Sequence, residues 1–154
     1  TLFHLAGQDL LQGFADNRQL HTEHTWGPFM ILDRDQPSLA ELLHLHRFAT
    51  EMVPFHTMRP APALLLDDGY ARGYAPLVLA NDDVSLVAIY FPAGGQARLD
   101  LPDGFTYIQQ WYDTSAGILS DGASAAPDAT FNSPTDPQVA RPQDRVLLLK
   151  AKEA

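Results

Sequence analysis

Between Gln96 and Leu101 the chain alternates, with Ala97, Leu99 and Leu101 on one side and Gln96, Arg98 and Asp100 on the other. That is the period of a strand half buried against a core. Asp103-Gly104 follows, a pair that supplies the positive φ of a tight turn, and the run from Phe105 to Tyr112 is rich in aromatic and β-favouring residues. The pattern predicts an antiparallel hairpin joining the two runs. Pro92-Ala93-Gly94-Gly95 before it and Asp113-Thr114-Ser115-Ala116-Gly117 after it are turn sequences that end pairing.

Upstream the period changes. Leu39, Leu42, Leu43, Leu45, Ala49 and Met52 form a broad apolar helical face. Ser38 and Glu41 have the spacing of a capping box, and Pro54 lacks the backbone donor that a continuing helix needs, so a helix is expected over Ser38 to Val53. Before it, Leu10, Leu11 and Phe14 suggest a short helix near Gln8 to Ala15. Phe29 to Leu32 reads either as a short buried strand or as a buried helical turn. Phe55 to Pro62 reads as a non-helical connector, which places a boundary between a helical segment, residues 1–60, and a β-rich segment, residues 61–154.

Within the second segment, strands are expected at Ala63 to Leu66, Leu77 to Ala80 and Val84 to Phe91, with Asn81-Asp82-Asp83 turning a hairpin between the last two. Ile118-Leu119 and Thr130-Phe131 are short strands, Ser120 to Asp128 is expected as a surface loop, and Val146 to Leu149 is a fully apolar closing strand. Short strands at near-regular spacing are the sequence form of a sandwich. The fold class expected is α+β, a C-terminal antiparallel β-sandwich preceded by a helical segment.

A strand ending in Tyr90-Phe91-Pro92-Ala93-Gly94-Gly95, a Leu99-Asp100-Leu101 strand, a turn into Trp111-Tyr112-Asp113 and a closing Gly117 form one set of motifs. With the final Asp144-Arg145-Val146-Leu147-Leu148-Leu149, it resembles a C-terminal β-sandwich known as a collagen-binding domain. In that family the sandwich follows a (β/α)8 barrel of apiosidase-like glycoside hydrolases. The likeness spans Leu77 to Lys150, about half the chain. The family pattern after the tryptophan continues Asp-Pro-Arg-Thr-Gly, whereas Asp113-Thr114-Ser115-Ala116-Gly117 lacks the proline and the arginine but keeps the turn chemistry. The resemblance implies that residues 1–60 resemble the last β/α unit of the barrel. It also implies an upstream catalytic barrel as partner, a polysaccharide or oligosaccharide as ligand, and catalytic carboxylates on strands upstream of this chain.

Charge narrows the partners. The 154 residues carry 19 acidic against 10 basic side chains, a net charge of -9, and contain no cysteine. An acidic chain without clustered Lys and Arg is a poor match for a phosphate backbone, so no nucleic acid is expected. No apolar run reaches the ~20 residues of a membrane span, and no thiolate or disulfide chemistry is available. The expected location is extracellular or periplasmic, with the cytoplasm left open.

His21-Thr22-Glu23-His24-Thr25-Trp26 is the densest cluster of chemically able side chains. At the mouth of a barrel, Trp26 could stack a sugar while His21, Glu23 and His24 bond its hydroxyls. The plainer reading is a polar loop whose tryptophan packs on a neighbour. A third reading joins His21, Glu23 and His24 to a metal, but the spacing is not that of a helical zinc motif, and no cofactor or metal is expected. Glycosidic hydrolysis needs two carboxyl groups about 5–5.5 or 6.5–9.5 Å apart. Glu23 has no evident second, so no catalytic residue is assigned. Trp111 and Tyr112 point to opposite sides of their strand; core packing is expected for Trp111, and Tyr112 is a candidate ligand platform. The reading favoured is the terminal part of a polysaccharide-degrading glycoside hydrolase. A free-standing binding module and a small metal-dependent enzyme are the alternatives.

Overall fold

The computed structural model describes residues 37–67, 75–135 and 143–152. The expected helix near Gln8 to Ala15, the run Phe29 to Leu32 and the cluster His21, Glu23, His24 and Trp26 lie outside the described residues. In chain order the elements are helix α1 (Pro37–Arg47) and strands β1 (Met58–Pro60), β2 (Leu65–Asp67), β3 (Leu77–Asn81), β4 (Leu86–Phe91), β5 (Gln96–Leu99), β6 (Thr106–Asp113), β7 (Ile118–Leu119), β8 (Ala123–Ala125), β9 (Thr130–Asn132) and β10 (Arg145–Lys152). All named pairings are antiparallel. The larger sheet runs β1-β3-β4-β10-β6-β7, with β8 also on β6, and the smaller runs β2-β5-β9. The architecture is α+β, a β-sandwich with one short α-helix among the described residues.

The centre of the larger sheet is β10, flanked by β4 and β6. Its apolar run has no polar alternation because both of its sides are covered. Leu147 and Leu149 enter the core between the two sheets with Val87, Ile89, Phe91, Ala97, Leu99, Tyr107 and Phe131. Val146 and Leu148 join a second core with Ala88, Tyr90, Tyr112, Phe48, Val53 and Met58. That second core lies on the outer face of the larger sheet. The molecule is therefore layered as small sheet, large sheet and helix.

Helix α1 continues as a π-helical turn, Phe48–Met52, closed by the Val53 amide on the Phe48 carbonyl at 3.1 Å. Pro54 follows, so the helical stretch stops where the missing donor demands. Leu45, Phe48 and Met52, three and four residues apart, fall on one side and pack on the second core. The Phe48 ring lies 4.6 Å from that of Tyr112.

Several expectations are corrected. The runs on either side of Asp103-Gly104 do not form a hairpin. Strand β5 pairs on both edges within the small sheet, with β2 and β9, while β6 belongs to the large one. Gly104 does take positive φ, 97°, but the turn carries the chain from one layer to the other. Leu101 is buried beneath this crossing. Leu99 and Tyr107 thus meet in the same core from opposite sheets. The connector after Pro54 contains a strand, since β1 pairs with β3 through Met58↔Asn81 and Pro60↔Leu79. Pro60 fits there because β1 is an edge strand and can spare a donor. Ser120 to Asp128 likewise contains β8, which pairs with β6. The β3–β4 hairpin is as expected, and Asn81 and Asp83 hold its turn by accepting from the Leu86 and Ser85 amides at 2.8 and 3.1 Å.

Candidate functional site

The buried polar groups of the described residues gather at one end of β4, β10 and β6. Antiparallel register places Arg145 beside Asp113, and Arg145 donates to the Asp113 carboxylate at 3.0 Å with only 8% of its side chain exposed. The same guanidinium donates to the Asp144 carbonyl at 3.0 Å and to the Gln143 side-chain oxygen. Thr114, fully buried, donates its hydroxyl to the Asp144 carbonyl at 3.1 Å. On the other face of the sheet, Tyr90 donates to the Asp144 carboxylate at 3.2 Å. Burial, reinforced by that neighbouring carboxylate, pushes the Tyr90 hydroxyl far above the ordinary tyrosine range.

Asp113 has a second task. Its other carboxylate oxygen accepts from the Ser115 and Ala116 amides, each at 2.9 Å, and its carbonyl accepts from Gly117 at 2.8 Å. Gly117 has φ of 69°. The turn therefore forms by the side-chain bonding and positive φ expected of Asp113 to Gly117. Asp113 and Asp144 are both engaged as acceptors inside the fold. A glycosidic acid needs a proton to give and a substrate to face. This cluster ties strand ends together and presents no such pair. The register that pairs Asp113 with Arg145 escaped the sequence reading; its only trace there is a charge at the end of one apolar strand and at the start of another.

Tyr112 is corrected as a ligand platform. Its exposure is 0%, its ring lies against Phe48, and its hydroxyl donates to the His44 carbonyl at 3.0 Å. Burial raises its pKa, Arg47 opposes the rise and Asp113 adds to it. The ring lies inward because α1 covers the face it occupies. Trp111, on the other side of β6, is half-buried at the margin of the inter-sheet core, 5.4 Å from Phe91. No group of three or more His, Asp or Glu able to hold a metal occurs among the described residues. No helix among them is long and apolar enough to cross a membrane.

No family model matches the chain, and no curated protein matches it by sequence. Solved structures do. The chain is similar to a glycoside hydrolase family 5 protein from Bacteroides vulgatus ATCC 8482, with a TM-score of 0.61 and 18% identity over 75% of this chain and 25% of that one. It is similar also to a second structure described as a glycoside hydrolase, with a TM-score of 0.59 and 17% identity over 75% of this chain and 26% of the other. The shared part is a fold found within glycoside hydrolases, and this chain spans about a quarter of the length of those proteins.

Proposed function

We propose that this chain is the C-terminal part of a bacterial, secreted polysaccharide-degrading glycoside hydrolase of the apiosidase-like type, and that its sandwich is a non-catalytic support for a preceding (β/α)8 barrel. The observation that carries this is the coverage: three-quarters of the chain aligns with only a quarter of each neighbour. The carboxylates of the buried cluster argue in the same direction, because Asp113 and Asp144 accept hydrogen bonds that hold strand ends together. Support is favoured over direct sugar binding by the sandwich, since Tyr112 lies under α1. Contact with the polysaccharide is assigned to the barrel, with His21, Glu23, His24 and Trp26 at its rim.

The test compares this 154-residue chain with the native polypeptide that carries it. The expected result is that the chain alone hydrolyses no plant or bacterial polysaccharide, while a longer native polypeptide does and loses heat resistance when residues 37–154 are removed. Hydrolysis by the 154-residue chain itself would overturn the proposal. So would stoichiometric metal retained after dialysis and lost on His24→Ala, which would favour a small metalloenzyme.

A further inference from the structure

The arch from Asp100 to Phe105 carries the chain from β5 in the small sheet to β6 in the large one. Asp103, Gly104 and Phe105 at its outer end are exposed. Gly104 has φ of 97°, and a Cβ built on it would meet nothing within 4 Å. The Asp103 carboxylate makes no hydrogen bond or ion pair among the described residues. A carboxyl group is thus followed by a main-chain nitrogen that no side chain of its own residue shields.

We propose that Asp103-Gly104 is a site of spontaneous modification, where the chain closes a succinimide and reopens as isoaspartate, and that the fold selects this step over its counterparts. The Gly104 nitrogen attacks Cγ of the protonated Asp103 carboxyl. The N–Cγ bond forms, the Cγ–OH bond breaks, and the proton of the nitrogen leaves with the hydroxyl as one water. Water then adds back at either ring carbonyl. Opening at the main-chain carbonyl leaves the peptide running through Cβ and Cγ, with unchanged mass and one more C–C bond, about 1.5 Å, in the arch. No enzyme, oxidant or cofactor is needed, only rotation of the peptide plane between the two residues.

The fold restrains the comparable steps that the structure describes. Asp121-Gly122 has the same two residues, but a Cβ on Gly122 would lie 2.5 Å from Cγ2 of Ile108, and the next residue, Ala123, pairs with Gln109. Gly122 is therefore pressed onto β6. At Asn132-Ser133 the nitrogen that would attack donates instead to the Gly95 carbonyl at 2.8 Å. The Asn81 carboxamide accepts from the Leu86 amide and donates to the Ser85 hydroxyl, both at 2.8 Å, and is held by the hairpin turn. Asp68-Gly69 lies outside the described residues.

The test is to hold the folded chain for weeks in mildly acidic buffer, which favours the protonated carboxyl, and to locate isoaspartate by peptide mapping with electron-transfer fragmentation. Labelling with an isoaspartate carboxyl methyltransferase gives an independent count. The expected result is a peptide containing Asp103 that is first lighter by one water and then carries isoaspartate, several-fold more of it than forms at Asp121. In concentrated urea, where Gly122 is no longer packed, the two steps should react at similar rates. Asp103→Glu, which would have to close a larger ring, should abolish the modified peptide while circular dichroism stays the same. Equal isoaspartate at 103 and 121 in the folded chain overturns the proposal. An excess at 103 that persists undiminished in urea also overturns it, since local sequence and not the fold would then be the cause. So does isoaspartate at 103 that appears only in urea, which would mean that the arch is held as firmly as the other steps.

Discussion

Tyr112 shows how far one side chain's role depends on what lies above its strand. Its hydroxyl is worth about 1 kcal/mol as a donor to the His44 carbonyl, so Tyr112→Phe should lower the melting temperature by roughly 2–4 °C. Tyr112→Ala, which also empties the site against Phe48, should cost roughly 3–5 kcal/mol in urea titrations. Equal losses from the two would contradict the packing described. Burial also acts on protons. The pKa values of Tyr90, Tyr107 and Tyr112 are all raised from 10.0, chiefly by burial. A raised folded-state pKa contributes stability that is fully present below the unfolded value of 10.0 and is lost as pH climbs through the folded value. Tyrosinate absorbance in the near ultraviolet should therefore rise together with unfolding in strong alkali. A smooth tyrosinate titration near pH 10 of all tyrosines in folded protein would refute this.

Between elements, the contact of α1 with the turn after β6 turns on Gly117. Its φ of 69° costs an L-residue about 1–2 kcal/mol, and a Cβ there would meet the His44 ring at 2.5 Å. Gly104 has positive φ too, 97°, but nothing lies within 4 Å of its would-be Cβ. Gly117→Ala should consequently destabilise more than Gly104→Ala. In the double variant His44→Ala with Gly117→Ala, the loss should be smaller than the sum of the single losses, because the ring that clashes is gone. Strict additivity in urea unfolding would show that the helix does not rest on this turn.

For the whole molecule, three layers with β10 at the centre imply an order of opening. Strand β10 pairs on both edges and is buried on both faces from Arg145 to Leu149, whereas β1, β7 and β8 are short strands at the sheet's margins. Amide hydrogen exchange should be slowest in β10 and its partners β4 and β6, and much faster in β7 and β8. Slowest exchange in α1 would instead place the stable centre on the helical side.

Much of this was legible in the residues alone. The alternation of Gln96 to Leu101 located a half-buried strand, the glycines at 104 and 117 located turns of positive φ, and Pro54 located the end of the helix. These depend on local stereochemistry, which the chain carries wherever it goes. The partner of each strand does not. Alternation tells which side of a strand is wet and a turn residue tells which φ is available, but an arch between layers and a hairpin within one satisfy both equally. Only competition for burial across the molecule placed β5 between β2 and β9 and β6 beside β10. The same competition set α1 over Tyr112 and Asp113 against Arg145, because those contacts join residues far apart in sequence, and no local preference encodes them.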